Sequence, residues 1–452
     1  MARQYLIKST SGIRGIIGRG IDPLLVGRYG AAFGTLLKKG RAVVGRDSRP
    51  SGEILVPAVI SGLASVGIDV VDIGVVPTPT VEIAVKQLKA AGGICVTASH
   101  NPAEWNALKF FNSRGEFITP AQFKRLEKIF DSERLAFKSH EKLGSTDCQT
   151  HWIEEHVKRT LAVKTVNRAA IRRRRFKVVV DAVNGAGSVA LPLLLRKLGV
   201  QVHEINCSGD GRFVHQPEPV PKNLVQLGRA VRRHRADLGL ACDPDADRLA
   251  LVDHRGHPIG EELTLTIAVM AVLKKTPGVT VINLSTSKAT ADVARRYGSR
   301  VCYSLVGEAN VVQTMRSRKA IIGGEGNGGV IYPDFHAGRD SLIAAALTLS
   351  VLAEEKKTLL QLVETLPKYY NMKSKAALPG DFSGKLEKFT AEARKLLGTI
   401  KVDRRDGRRF DFADGWVQIR TSNTEPIFRL IVETGDPGKT RRLSRDVMAY
   451  FT

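Results

Sequence analysis

The chain has 452 residues, 43% of them hydrophobic, and this length predicts three or four domains rather than one. Lysine and arginine number 69 against 45 aspartates and glutamates, so the formal net charge is +24. No apolar run reaches the roughly 18 residues that a membrane-spanning helix needs. We therefore expect that this protein does not span a membrane.

The positive charge is compatible with nucleic acid, an anionic membrane surface or acidic small substrates as partners. The basic clusters lie at 172–175, 232–235, 316–319 and 404–409, and no aromatic residue is interleaved with them. Binding of single-stranded nucleic acid relies on such aromatics for stacking, so we expect no nucleic-acid partner. Because no apolar run is long enough to span a bilayer, we also expect no membrane partner. A basic nucleic-acid-binding protein is the alternative from a different functional class.

The cysteines indicate a reducing compartment. They are far apart and form no CxxC pair, and they occupy positions 95, 148, 207, 242 and 302. An odd, scattered set is typical of free thiols rather than of disulfides or a zinc site. The first residues, MARQYLIKSTSGIRG, lack the apolar region of a signal peptide. We therefore expect a cytoplasmic protein.

A strand, a polar loop, a helix and a second strand follow one another three times along the chain. These units begin with RAVVGRDSRPSG at 41–52, FKVVVDAVNGAGS at 176–188 and VTVINLSTSK at 279–288. Each predicted helix ends on a glycine, which suits the position after a helix C-terminus. The repeated order predicts three related α/β domains with mixed sheets.

The C-terminal part has a different pattern. From about residue 366, one helical segment and two strands around a polar loop predict a smaller α+β domain. The predicted domains are 1–150, 151–253, 254–365 and 366–452.

The first candidate loop is TASHNP at 97–102. Ser99 and His100 follow a predicted buried strand, where open α/β folds place their ligands. No G-x-S-x-G pattern surrounds Ser99, so a hydrolase is not indicated. An ordinary turn is the alternative interpretation, because Ser, Asn and Pro all favour turns.

The second loop is DPDADR, between two apolar strands. In an extended segment, Asp243, Asp245 and Asp247 would point to one side and repel one another unless a cation binds. Mg²⁺ prefers a few carboxylates and completes its shell with phosphate oxygens. An EF-hand is excluded, because Arg248 stands where that motif needs glycine. The loop therefore predicts one Mg²⁺ ion per chain.

The third loop, GGEGNGG, matches G-x-G-x-x-G. Pro333 follows soon after, and no helix N-terminus is available to hold a pyrophosphate. A dinucleotide-dependent oxidoreductase is therefore an alternative that this loop does not favour. Glycines would instead let Glu325 and Asn327 approach sugar hydroxyls closely.

The fourth loop, RTSNTEP, combines a guanidinium with hydroxyl and amide groups. Arg420 suits a phosphate, which guanidinium binds through two parallel hydrogen bonds, and Arg429 could add a second charge. A hairpin loop held by its own hydrogen bonds is the alternative.

In order and spacing, these four loops resemble the phosphoserine, metal, sugar and phosphate loops of the α-D-phosphohexomutase family. SGIRG at 11–15 and GRDSRPSG at 45–52 also resemble the first domain of that family. The resemblance spans nearly the whole chain. It implies an α/β fold in which three related α/β domains and a C-terminal α+β domain surround a central cleft.

The resemblance also implies an activity. Such an isomerase interconverts hexose 6-phosphate and hexose 1-phosphate through a phosphoserine, here Ser99, and a bisphosphorylated sugar. Ser99 would share Mg²⁺ with Asp243, Asp245 and Asp247, and Arg248 would orient the serine phosphate. The partner would be a phosphorylated hexose or hexosamine.

Further roles follow from the same resemblance. The residues that it places on the substrate are Glu325, Asn327, Arg420, Ser422, Asn423, Thr424 and Arg429. The candidates for proton transfer are Lys109, the first choice, with Arg14 and His100.

Two departures from the family pattern bear on the substrate. The sugar loop often reads Gly-Glu-x-Ser-Gly-His, whereas here it reads Glu325-Gly326-Asn327-Gly328-Gly329, and Ala107 stands where glycine is usual. These variants resemble the archaeal-type phosphoglucosamine mutase branch. Glucosamine 6-phosphate is therefore the expected substrate, with glucose and mannose phosphates as the alternative.

Overall fold

The protein is represented by a computed structural model that describes residues 5–422 and 427–451. Within these residues the chain forms four β-sheets, one after another along the sequence, and each sheet with its helices is called a unit. No described helix combines the length and the apolar character needed to cross a membrane.

The first unit contains β1 (Leu6–Ser9), β2 (Gly12–Ile16), α1 (Pro23–Leu37), β3 (Arg41–Arg46), α2 (Gly52–Ser65), β4 (Asp69–Val75), α3 (Thr78–Gln87), β5 (Gly92–Val96), β6 (Trp105–Asn112), α4 (Pro120–Ser132), a 3₁₀ turn (His140–Lys142) and β7 (Thr146–Cys148). The strands lie in the order β1-β2-β6-β5-β3-β4-β7. β3 is parallel to β4 and β5, whereas β5 and β6 are antiparallel. The sheet is therefore mixed.

The second unit contains α5 (Trp152–Ala162), α6 (Arg168–Arg174), β8 (Lys177–Asp181), α7 (Gly187–Lys197), β9 (Gln201–Ile205), a 3₁₀ turn (Pro221–Asn223), α8 (Val225–His234), β10 (Leu238–Cys242) and β11 (Leu249–Asp253). The strand order is β11-β10-β8-β9. β8 is parallel to both neighbours, and β11 pairs antiparallel with β10.

The third unit contains α9 (Glu262–Leu273), β12 (Val279–Asn283), α10 (Lys288–Arg296), β13 (Val301–Ser304), α11 (Glu308–Arg318), β14 (Ala320–Glu325), β15 (Gly329–Tyr332), β16 (His336–Arg339), α12 (Ser341–Glu355) and α13 (Leu359–Glu364). The strand order is β13-β12-β14-β15-β16. β12 is parallel to β13 and β14, and β15 is antiparallel to β14 and β16.

The fourth unit contains β17 (Tyr370–Ala377), α14 (Phe382–Leu397), β18 (Lys401–Asp403), β19 (Arg408–Phe412), β20 (Gly415–Thr421), β21 (Ile427–Thr434) and α15 (Pro437–Phe451). The strands pair antiparallel in the order β17-β21-β20-β19-β18. The predicted α+β character of this part of the chain is confirmed.

The predicted repeat is confirmed as β3-α2-β4, β8-α7-β9 and β12-α10-β13, in each of which the two strands are parallel. Each helix is followed, one residue after its C-cap, by a glycine at positive φ: Gly67 at 80°, Gly199 at 80° and Gly298 at 71°. This left-handed backbone is accessible to glycine without a Cβ clash, so the glycine ends the helix and turns the chain into the next strand.

The second and third units share one hydrophobic core. α12 lies at its centre, and every residue from Ser341 to Ala353 is buried. A helix that is apolar on all sides needs neighbours on all sides, which the α9, α5 and α7 helices provide. The exact domain boundaries at 150, 253 and 365 stay predictions.

Candidate active site

The serine loop begins directly after β5. Ser99 is buried and has φ of 51°, in the left-handed region that non-glycine residues rarely occupy. Its backbone N–H donates to Thr97 Oγ1 at 2.9 Å. Such a conformation persists only where the surroundings hold it, so the loop has a defined shape.

Arg49 supplies much of that support, and sequence reasoning gave it no role. Its guanidinium donates at 2.6–3.0 Å to four backbone carbonyls, those of Ser99, Asn101, Pro102 and Trp105. Its Nε donates to Asp47 Oδ2 at 3.1 Å, and the side chain is fully buried. The motif GRDSRPSG was the available signal, but the contacts depend on the fold.

The aspartate loop connects β10 to β11. The prediction of an extended segment is wrong here: the loop is a turn with Ala246 at φ 52°. In a strand, alternate side chains share one face, but Asp243 and Asp247 would be about 13 Å apart along it, whereas a turn folds the chain so that the three carboxylates converge. One carboxylate oxygen each from Asp243, Asp245 and Asp247 lies within 4.8 Å of the others, and all three residues are buried.

The serine and aspartate loops meet. Ser99 Oγ donates to Asp243 Oδ2 at 2.8 Å. Lys109 Nζ donates to Asp245 Oδ2 at 2.6 Å and to Asp247 Oδ2 at 3.2 Å. The first and second units are therefore joined through the groups that the sequence singled out.

The cluster fits a hard divalent cation. Asp245 Oδ1 and Asp247 Oδ1 are buried, and no described residue donates a hydrogen bond to either. Burial, followed by the charges of Asp247 and Asp245, raises the pKa of Asp243 well above its usual value. A cation would relieve this unfavourable concentration of charge, and carboxylate oxygens are the ligands that Mg²⁺ prefers.

The three candidates for proton transfer differ in charge. Burial lowers the pKa of Lys109, but Asp245 and Asp247 outweigh it and raise the pKa overall, so Lys109 is a cation. Burial, then Arg248 and Arg14, lowers the pKa of His100, whose Nδ1 is 3.4 Å from Ser99 Oγ.

Arg14 adjoins the same loop. Its Nη1 donates to Asn101 Oδ1 at 2.5 Å. Burial, then the charge of Arg248, lowers the pKa of Arg14 to about 10, so it too remains a cation near neutral pH.

Arg248 faces the cluster with an unused donor. Its buried Nε lies 3.8 Å from Asp243 Oδ2 and 3.7 Å from Asp247 Oδ1, and no described residue accepts a hydrogen bond from it. These separations exceed hydrogen-bond length and leave the N–H available to an anion.

The sugar loop joins β14 to β15. Glu325 is buried, with Oε1 accepting from Asn283 Nδ2 at 2.8 Å and from the Gly307 N–H at 2.9 Å. Its Oε2 accepts from Arg339 Nη1 at 2.8 Å. Most of this carboxylate's acceptor capacity is thus used within the protein, whereas Asn327 is half-buried and lines the cleft.

The phosphate loop lies between β20 and β21. Arg420 and Arg429 face each other on these strands, and Arg420 Nε donates to Asp406 Oδ1 at 3.0 Å. The backbone N–H of Ser422 donates to the Ile427 carbonyl at 2.9 Å. The predicted residues Asn423 and Thr424 lie outside the described residues.

One cleft brings the four units together. A cavity of about 660 Å³ is lined by residues from every unit, among them His100, Lys222, Arg248, Asn327, Lys375 and Arg429. A neighbouring cavity of about 340 Å³ adds Arg14 and Asn101. Cationic side chains predominate in this lining, which favours a negatively charged ligand.

Comparison with known families covers all four units. Residues 6–137, 154–256 and 260–370 match, in this order, alpha/beta/alpha domains I, II and III of phosphoglucomutase/phosphomannomutase. Residues 355–449 match the C-terminal domain of the same proteins.

Relatives that match nearly the whole chain support the same family assignment. A phosphoglucomutase/phosphomannomutase of Thermococcus kodakarensis is 40% identical, over 96% of this chain and 95% of the relative. A Methanopyrus kandleri protein named "Probable phosphoglucosamine mutase" is 36% identical, with the same coverage of both chains. A crystal structure of a phosphoglucomutase/phosphomannomutase family protein from Burkholderia thailandensis matches with a TM-score of 0.85 at 28% identity, over 98% of this chain and 97% of that one. The chain therefore belongs to the phosphoglucomutase/phosphomannomutase family of phosphohexomutases, which are isomerases.

Proposed function

We propose that the protein moves a phosphoryl group between O6 and O1 of a hexose, through a phosphoserine at Ser99 and a bisphosphorylated sugar. One observation carries the proposal: Ser99 Oγ is 2.8 Å from Asp243 in a cluster of buried carboxylates. This cluster adjoins a cation-lined cleft of about 660 Å³ that reaches Arg429 in the fourth unit.

The reaction balances without a further reactant. O1 of a hexose 6-phosphate attacks the phosphorus on Ser99, the bond from phosphorus to Oγ breaks, and the O1 proton passes to a basic group. The bisphosphorylated sugar turns in the cleft. Ser99 Oγ then attacks the phosphorus on O6, and O6 takes up a proton as it leaves. The products are a hexose 1-phosphate and the phosphorylated serine.

Asp243, Asp245, Asp247 and the serine oxygen would hold one Mg²⁺. Such an ion stabilises negative charge on a transferring phosphoryl group. Arg248 would donate its unused Nε hydrogen to an oxygen of that group.

Proton transfer is proposed for Lys109, with His100 and Arg14 nearby. Lys109 is held as a cation, so it can supply a proton to a leaving oxygen, but it must first lose one before it can accept. His100 is neutral and lies 3.4 Å from Ser99 Oγ, which suits it to the accepting role.

The distal phosphate would bind Arg429, Arg420 and Ser422, together with the predicted Asn423 and Thr424. Either phosphate of the intermediate must bind at this distal site. The site therefore needs hydrogen-bond donors that accept a phosphate group at O1 or at O6 equally well. Lys375, the partner of Arg429 on β17, adds a further positive charge. Asn327 would contact ring hydroxyls. Glu325 could accept a hydrogen bond from a ring hydroxyl only at the remaining acceptor position on Oε2.

Glucosamine 6-phosphate is the proposed substrate, with glucose and mannose 6-phosphates as the alternative that the 40% identical relative favours. The test compares kcat/KM for the three 6-phosphates at equal enzyme concentration, with each reaction monitored by ³¹P NMR. Glucosamine 6-phosphate should give the highest value. A higher value for glucose or mannose would replace the substrate, and turnover of none of the three would contradict the proposed activity.

A further inference from the structure

Arg339, the last residue of β16, joins carboxylates from three separate segments of the chain. Its Nη2 donates to Asp247 Oδ2 at 2.6 Å and its Nη1 to Glu325 Oε2 at 2.8 Å. Its Nε lies 3.0 Å from Glu308 Oε2, and its backbone N–H donates to Glu308 Oε1 at 2.9 Å. The side chain is buried, so these carboxylates have a fixed partner that water does not replace.

The contacts leave the two oxygens of Asp247 unequal. Oδ2 accepts from Arg339 and from Lys109, whereas Oδ1 is buried and accepts from no described residue. The guanidinium, together with Lys109, therefore determines which oxygen of Asp247 is left for a metal ion. The same planar group holds Glu325 of the sugar loop with its other terminal nitrogen.

Gly329 provides the space through which the Arg339 side chain passes. A Cβ atom at this position would overlap Cδ of Arg339, and Cγ would also be close. Both atoms belong to the stem of the side chain rather than to its flexible end. A substitution at Gly329 would therefore displace the guanidinium without removing any of the charged groups.

We propose that Arg339 is a positioning residue, which holds Asp247 of the metal loop and Glu325 of the sugar loop at a fixed separation and presents Asp247 Oδ1 to the metal. This inference rests on the proposed function, because the metal ion is part of that proposal. A lysine has the same charge but a single nitrogen, so it cannot reproduce a planar fork between two carboxylates.

The test is the affinity for Mg²⁺ of the wild-type protein and of Arg339→Lys, measured by titration calorimetry without substrate. Loss of an outer partner of a metal-binding group typically weakens metal binding about 10- to 100-fold, and we expect an effect of this size. Equal affinity in a folded Arg339→Lys variant would overturn the proposal.

Arg409→Lys is the matched control. Arg409 is a buried arginine of the fourth unit whose Nη2 donates to Asp411 Oδ1 at 2.9 Å, and none of its hydrogen bonds involves the aspartate loop. A purely structural role would lower the free energy of unfolding in both lysine variants and leave both Mg²⁺ affinities unchanged. We expect weaker Mg²⁺ binding in Arg339→Lys alone.

Gly329→Ala keeps the proposal testable if Arg339→Lys does not fold. It should weaken Mg²⁺ binding in the same direction, and wild-type affinity in this variant would contradict the inference. The calorimetry needs no hexose phosphate, so an absence of turnover in the wild-type protein would count against the proposed function alone.

Discussion

The Ser99 hydroxyl donates to Asp243 Oδ2 at 2.8 Å, across 144 positions of sequence and between two different β-sheets. Both residues are buried, and both lie in loops at the end of a strand, β5 and β10. The Ser99 hydroxyl thus lies directly beside a cluster of carboxylates that fits a divalent cation. Phosphoryl transfer assisted by a divalent ion needs this arrangement.

Replacement of Asp245 by asparagine should remove the response to Mg²⁺. The substitution keeps the shape of the side chain but removes one negative ligand from the cluster. Since loss of an outer partner already weakens metal binding about 10- to 100-fold, we expect Mg²⁺ affinity to fall by more than about 100-fold. Titration calorimetry and activity as a function of Mg²⁺ concentration both measure this.

Asp414→Asn is a suitable control, because Asp414 pairs with Lys439 at the surface of the fourth unit. It should bind Mg²⁺ as the wild-type protein does. An Asp245→Asn variant that keeps its Mg²⁺ response would remove Asp245 from the metal site.

Arg49→Lys should destabilise the serine loop. Lysine has three N–H donors on one nitrogen, whereas Arg49 uses all three guanidinium nitrogens to reach four carbonyls and Asp47. Carbonyls left without donors cost about 1–3 kcal/mol each, so the free energy of unfolding should fall by about 3 kcal/mol. Urea unfolding measures the loss, and kcat should fall with it.

The exposed Arg41 at the start of β3 provides the comparison, since Arg41→Lys should leave both quantities unchanged. If Arg49→Lys matched Arg41→Lys in stability and kcat, the loop would not depend on Arg49.

Arg429→Ala should weaken binding of the hexose phosphate. Arg429 lines both cavities of the cleft. A hydrogen bond between charged groups contributes about 1.5–3 kcal/mol, so KM should rise about 10- to 100-fold. Steady-state kinetics on the preferred 6-phosphate measure this, with the exposed Arg441→Ala as a control that keeps its KM. An unchanged KM in Arg429→Ala would exclude Arg429 from the phosphate site.

His336 should make the stability of the protein depend on pH. It lies between Asp340, whose Oδ2 is 2.9 Å from Nε2, and Glu82, whose Oε2 is 3.3 Å from Nδ1. Burial lowers the pKa of His336, but the hydrogen bond with Asp340 and the nearby carboxylates of Asp340 and Glu82 outweigh burial and raise the pKa to about 9. This network joins the first and third units.

A histidine with a raised pKa stabilises the folded state below its unfolded pKa of about 6.5. The contribution is lost as the pH rises through the folded pKa, so about 3 kcal/mol of stability should disappear between pH 6.5 and pH 9. Burial, then the charge of Glu308, raises the pKa of Glu82 to about 8, which acts in the same direction.

Urea unfolding at several pH values tests this expectation. His336→Gln should lose most of the pH dependence above pH 8, whereas the exposed His140→Gln should retain all of it. The same slope in wild-type and His336→Gln proteins would show that His336 does not hold its proton in the folded state.

The sequence predicted those parts of the site that depend on short motifs at strand ends. Ser99 and the three aspartates follow apolar strands, and both loops lie at the ends of β5 and β10, where the sequence pattern predicted them. The turn at Ala246 was not predicted, because a D-x-D-x-D spacing is compatible with either an extended or a turned backbone.

Arg49 and Arg339 escaped prediction for a different reason. Their partners are backbone carbonyls and carboxylates that become neighbours only in the folded chain, for example Arg339 and Asp247, 92 positions apart. The shared core of the second and third units was not predicted for the same reason, because it forms only when the helices pack together in the folded chain. A local motif such as GRDSRPSG marks Arg49 but does not show which distant groups it contacts.

The most direct test of the central claim is the location of phosphate on the protein. Wild-type protein incubated with a hexose 1,6-bisphosphate and Mg²⁺ should gain one phosphate in its intact mass, and peptide mapping should place it on Ser99. The Ser99→Ala variant should remain unmodified and lose turnover by about three orders of magnitude or more. Phosphate on another residue, or full turnover by Ser99→Ala, would contradict the account.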